Sequence, residues 1–97
     1  MMSTKEMKEV LFQKLQDEEC CFAKSDLSVT KHGEDVKVVV KGYEHCPFTI
    51  KTEEDDYFGF ILYVYCDDEA IDFLDNKKEY EWERAIIHIG YYIGTRF

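Results

Sequence analysis

Between Phe22 and Cys66 the apolar residues tend to recur at every second position, whereas before and after that stretch they recur at every third or fourth. No single element satisfies both periods. Alternation lines one face of a strand, and a 3.6-residue repeat lines one stripe of a helix. The chain is therefore read as helix, then strands, then helix.

The first helix has a clear start. Ser3-Thr4-Lys5-Glu6 has the form of a capping box, in which the Ser3 hydroxyl accepts from the Glu6 amide and the Glu6 carboxylate reaches back to the Ser3 amide. Met7, Val10, Leu11 and Leu15 then share a stripe, with Lys8, Glu9, Gln13, Lys14 and Asp17 between them. Asp17-Glu18-Glu19 opposes the C-terminal end of the helix dipole, so the helix is expected to end near residues 17 to 19.

The alternating stretch predicts two hairpins. Leu27, Val29 and Lys31 share a face, His32-Gly33-Glu34 turns the chain, and Val36, Val38 and Val40 alternate with Lys37, Val39 and Lys41. Gly42 to Pro47 breaks the pattern as a loop. Phe48, Ile50 and Thr52 alternate again, Glu53-Glu54-Asp55-Asp56 forms a polar tip, and Tyr57 to Cys66 is a ten-residue run apolar on both faces. That last strand is read as central.

Asp67-Asp68-Glu69 ends the strand and is read as capping a short helical turn carrying Ala70, Ile71 and Leu74. Asp75 or Asn76 then caps a final helix, with Trp82, Ala85, Ile86, Ile89 and Ile93 on one side and Lys77, Glu79, Glu81, Glu83 and Arg84 mostly on the other. Residues 86 to 97 are open between helix and strand, because Ile86 to Ile93 is β-rich and Gly90 and Gly94 weaken a helix. The Gly90-x-x-x-Gly94 spacing carries little weight without a membrane span. The expected fold is α+β: one domain over residues 1–97, a four-stranded antiparallel sheet of two hairpins, flanked by an N-terminal and a C-terminal helix in the order α-β-β-β-β-α.

Charge limits function more than fold does. The chain has a net charge of -9, and residues 1–51 hold eight lysines against nine acids while residues 52–97 hold four basic residues against twelve acids. The split is -1 against -8. Such a second half repels nucleic-acid phosphates and anionic lipid and attracts basic proteins over a Debye length of ~8 Å. Direct nucleic-acid binding and membrane binding are accordingly disfavoured. The start of the chain lacks the pattern of a signal peptide, and the longest apolar run is ten residues, short of the ~20 a membrane helix needs. A soluble, cytoplasmic protein with four free thiols is expected.

The residues read as a partner-binding surface are Glu53, Glu54, Asp55, Asp56, Asp67, Asp68, Glu69, Asp72, Asp75, Glu79 and Glu83, with Tyr80 and Tyr91 as aromatic anchors. Tyr57 and Trp82 are read as core. Glu53 to Asp56 and Asp67 to Glu69 lie at opposite ends of a ten-residue strand, about 33 Å apart, so they do not share a metal. Spread charge of this kind suits occupation of a basic cleft meant for nucleic acid, a form of DNA mimicry. In composition the chain is similar to phage- and mobile-element-encoded inhibitors, such as anti-CRISPR and other anti-defence proteins, and to nuclease immunity proteins.

No catalytic residue, metal site or cofactor is assigned. Cys20-Cys21 and His45-Cys46 are adjacent pairs, unlike the C-x2-4-C knuckle of structural zinc. Phosphate-loop, nucleophile-elbow and His-Glu-x-x-His motifs are absent. Two alternatives stand beside the acidic binding protein. One is a small-molecule- or metal-binding domain or hydrolase with His45, Cys46, Cys66 and His88 in a pocket. The other is a structural homodimer paired through the apolar last strand or the final helix.

Overall fold

The computed structural model describes residues 2–57, 59–75 and 79–97. Helix α1 (Thr4–Asp17) leads through a short 3-10 turn (Lys24–Asp26) into five strands, β1 (Leu27–His32), β2 (Asp35–Val40), β3 (Phe48–Asp55), β4 (Gly59–Cys66) and β5 (Glu69–Asp75), and the chain closes with α2 (Glu79–Arg96). The strands form one antiparallel meander in chain order.

Both ends of α1 follow from local chemistry. The capping box at Ser3 is formed, with the Glu6 amide donating to Ser3 Oγ at 3.1 Å. At the other end Glu19 takes a positive φ of 59°, which lets the Cys20 amide reach back to the Leu15 carbonyl at 2.8 Å and close the last turn.

The two helices cover one face of the sheet. Met7, Leu11 and Leu15 of α1 and Ala85, Ile86, Ile89 and Ile93 of α2 are fully buried, as are Val36, Val38, Phe48, Ile50, Leu62 and Val64 of the sheet. The β3–β4 register sets Phe48 opposite Cys66, Ile50 opposite Val64 and Thr52 opposite Leu62, so alternate residues of both strands meet the helices. β4 lies between β3 and β5, an interior strand as its apolar run predicts.

The sheet has five strands, not four. The expected helical turn at Ala70, Ile71 and Leu74 is β5, and the order is α-β-β-β-β-β-α. Cys66 pairs with Glu69, leaving Asp67 and Asp68 as a two-residue loop with φ of 48° and 70°. Positive φ at both central residues is the requirement of a type I′ hairpin turn, and aspartate is among the side chains that tolerate it. A register shift at Val64/Tyr65 leaves Ile71 as an extra residue, a bulge that interrupts simple alternation in β5. Replacing Asp68 with glycine relieves the left-handed backbone and is expected to stabilise the fold by about 0.5–1 kcal/mol, a rise in Tm of roughly 3–6 °C in a thermal melt.

An odd number of strands also sets the helix pairing. After five strands the chain enters α2 at the same end of the sheet where α1 began, so the helices run parallel. Gly90 and Gly94 are where they touch: a Cβ at Gly90 would lie 2.7 Å from Lys14 Cγ, and one at Gly94 would lie 2.9 Å from Glu18 Cβ. The spacing that carried little weight in the sequence is thus a helix contact in a protein with no membrane-spanning helix among the described residues. It also settles residues 86–96 as helix. The glycines cost helix propensity, but the buried Ile86, Ile89 and Ile93 on the same helix gain packing in the core. Glu81 departs from the exposed face assigned to it: it is buried, and Arg84 Nη1 holds its carboxylate at 3.0 Å. Asp75 ends β5 opposite Ile61, and the alternative cap Asn76, like Lys77, lies outside the described residues.

Candidate functional site

The acidic residues fall into three groups. The first is the β3–β4 hairpin. The β2–β3 ladder ends at Val36 opposite Ile50, whereas β3 and β4 stay paired to Asp55 opposite Gly59, so the hairpin runs on past its neighbour. Glu53, Glu54 and Asp55 belong to that extension as strand residues, and Asp56 follows in the turn. Asp55 Oδ1 accepts the Tyr57 amide at 2.8 Å, an Asx turn that shapes the tip. Tyr57 is 85% exposed and Phe60 is 45% exposed. Tyr57 is therefore not core, because its side chain lies beyond the last layer that the helices cover; Trp82 is buried in the core.

Asp75 joins this group through the ladder. Glu53, Ile61 and Asp75 stand in one row across β3, β4 and β5, on the face turned away from the helices. Glu79 and the half-exposed Tyr80 open α2 at the same end of the sheet. The second group, Asp67, Asp68 and Glu69, sits at the opposite end of β4. That strand has eight residues and separates the two groups by roughly 26 Å, less than a ten-residue strand would.

The third group lies beside the helices. Asp72 Oδ2 is 3.5 Å from His88 Nδ1, Glu83 lines an open groove with Glu9, Gln13 and Asp17 of α1, and Tyr91 receives the Lys14 ammonium at 5.8 Å from its ring centre. The thirteen residues expected to form one surface are thus divided. Seven gather at the hairpin end, three at the β4–β5 turn and three along the helices.

The open face of the sheet holds a feature that hydropathy alone hides. Tyr63, Tyr65 and Phe73 form a strip with ring centres 6.2 and 6.4 Å apart, and Lys51 Nζ lies 5.4 Å from the centre of the Tyr65 ring. β4 is apolar on both faces, but its outer face is tyrosine-rich, and phenol rings tolerate water at one edge. Alternation counted from Leu62 and Val64 is the signal that separates the two faces.

The thiols are also divided. Cys46 Sγ and Cys66 Sγ are 3.1 Å apart at the sheet end remote from the acidic hairpin. Tyr92 and Arg96 lie close to the Cys66 sulfur, where the phenol and the cation both favour its thiolate. Cys20 packs against α2 near Gly94, and Cys21 is exposed. His45 is exposed beside the Tyr43 ring, and His88 faces Asp72 in an open groove whose lining does not include His45, Cys46 or Cys66. Among the described residues no three His, Cys, Asp or Glu side chains gather as a metal-holding group.

Burial, and next the hydrogen bond with Cys46, push the Cys66 thiol up to about 11, against the opposing pull of Tyr92 and Arg96. The folded chain therefore holds a proton that the unfolded chain releases near the ordinary thiol value of 9.0. The resulting stabilisation is fully present below pH 9 and is lost as pH rises through about 11. A Cys66→Ala variant is expected to show a shallower fall in Tm over that window than the parent chain.

No family model matches the chain, and comparison with curated proteins and with solved structures gives no significant match.

Proposed function

We propose that this domain is a non-catalytic binding protein, an inhibitor or antagonist that seats its acidic β3–β4 hairpin on a basic surface of a protein handling nucleic acid. The observation that supports this best is the hairpin itself. Four consecutive carboxylates, Glu53 to Asp56, precede the exposed Tyr57 on a hairpin that runs on past β2, and Asp75 of β5 extends the charge across the sheet. Carboxylates at a projecting edge steer an encounter with a basic cleft, and an aromatic ring at the tip supplies contact area once docked. In this reading the carboxylates take the places of phosphates, and the role is that of an anti-defence or DNA-mimicking protein.

The experiment is capture of partners on immobilised domain, followed by a salt titration. A nucleic-acid-handling protein with a basic surface is expected among the retained species. Its retention should fall steeply as the Debye length shrinks from ~8 Å at physiological salt to ~3 Å at 1 M. Competition by duplex DNA for the same partner is the second expected result. A partner retained equally at both salt concentrations, or the absence of any basic partner, overturns the reading.

A further inference from the structure

The register that builds the β3–β4 hairpin brings two distant cysteines together. Cys46 lies two residues ahead of β3, Cys66 is the last residue of β4, and Phe48 pairs with Cys66 across the ladder. Backbone hydrogen bonds anchor both approaches: the Cys46 amide donates to the Tyr43 carbonyl at 3.0 Å, and the Asp67 amide donates to the Pro47 carbonyl at 2.9 Å. The two sulfurs, separated by 20 residues in sequence, end 3.1 Å apart as free thiols. A disulfide bond is ~2.05 Å long, so closing it requires a movement of about 1 Å.

We propose that Cys46 and Cys66 are a redox-responsive dithiol that closes to an intramolecular disulfide when the protein meets a low-molecular-weight disulfide. The inference is independent of what the acidic hairpin binds. The two thiols differ in access, and that difference sets the order of events. Cys46 is half-buried, whereas Cys66 is buried against Tyr92. Cys46, as its thiolate, attacks one sulfur of the small disulfide. The disulfide bond breaks, one small thiolate leaves and takes up a proton, and a mixed disulfide remains on Cys46. Cys66 then gives up its proton and attacks the Cys46 sulfur, which forms the Cys46–Cys66 bond and releases the second small thiol. Two protein thiols are oxidised and one small disulfide is reduced to two thiols, so atoms and electrons balance. The Tyr92 hydroxyl and the Arg96 cation both favour the thiolate on Cys66 during the second step.

The other cysteines are arranged differently. Cys20 donates to the Glu18 carbonyl at 3.9 Å and faces α2, and its neighbour Cys21 is exposed. Cys21 is thus open to a mixed disulfide, while its neighbour Cys20 is turned toward the Glu18 carbonyl and Gly94.

The test uses the full chain, reduced, freed of reductant and incubated with oxidised glutathione at pH 8, then digested without reduction and mapped by mass spectrometry. The expected product is a cross-linked peptide joining Cys46 to Cys66, with a loss of two hydrogens from the pair. The closed loop spans the whole β3–β4 hairpin, and Tm is expected to rise on the order of 10 °C in the oxidised form, reversed by dithiothreitol. Cys46→Ser should abolish the cross-link, and Cys20→Ser/Cys21→Ser should leave it intact. Mixed glutathione disulfides without a Cys46–Cys66 peptide, or a cross-link mapping to Cys20 or Cys21, overturn the proposal. The parent chain alone decides this, so a variant that fails to fold does not blunt the test.

Discussion

Replacing Gly90 with leucine is expected to cost about 3 kcal/mol of stability, at the upper end of the ~1–3 kcal/mol typical of overpacking. The reason is the neighbour that the new side chain meets. A Cβ at Gly90 already lies 2.7 Å from Lys14 Cγ and 3.1 Å from Lys14 Cβ, with Leu11 Cδ1 at 3.4 Å. The Lys14 stem has little room to yield, because its ammonium is held by Glu18 at 2.7 Å and lies over the Tyr91 ring. Leu11 is fully buried. A domain of this size has roughly 5–15 kcal/mol of total stability, so such a loss should lower Tm by on the order of 15 °C.

Gly90→Ala separates packing from helix propensity. Alanine favours a helix interior over glycine by ~1 kcal/mol, so a site governed by propensity would gain stability. The close approach predicts a net loss instead, smaller than that of leucine. Urea unfolding of the three chains decides it. A leucine variant within 0.5 kcal/mol of the parent would mean that α1 and α2 do not meet at this glycine.

The same helix shows why parts of the fold were legible in the sequence and parts were not. Local signals carried well. The capping box at Ser3, the turn around Gly33 and the buried face of Trp82, Ala85, Ile86, Ile89 and Ile93 each depend on residues within a turn or two of one another. β5 escaped because its turn uses Asp67 and Asp68 without a glycine, and because the Ile71 bulge breaks the period-two pattern. Tyr57 lies outside the core, and hydrophobicity says nothing about where the helix layer stops. The division of the acidic residues, and the meeting of Cys46 with Cys66, depend on register between strands, which nothing local encodes. The parallel helices follow from the number of strands between them. One extra strand reverses the direction of everything after it.

Neutralising the hairpin end, with Glu53→Gln, Glu54→Gln, Asp55→Asn and Asp56→Asn together, is expected to weaken partner binding by about 3 kcal/mol, or roughly 100-fold. Exposed ion pairs contribute ~0.2–1 kcal/mol each, and close interfacial pairs contribute more, so four lost contacts reach that size without any one being decisive. The fold should survive. Glu53, Glu54 and Asp56 are exposed, and asparagine at position 55 keeps the oxygen that accepts the Tyr57 amide. The informative control is Asp67→Asn, Asp68→Asn and Glu69→Gln, three charges at the far end of β4 roughly 26 Å away. Long-range attraction responds to net charge, so both variants should associate more slowly at low salt. Only a docked hairpin makes the first variant lose much more affinity than the second at physiological salt, where charges beyond ~8 Å are screened. Titration calorimetry against the captured partner at 0.15 M salt reads the difference directly. Equal losses in the two variants would make this a generally acidic protein with no hairpin site, and no loss in either would remove the charge from the explanation altogether.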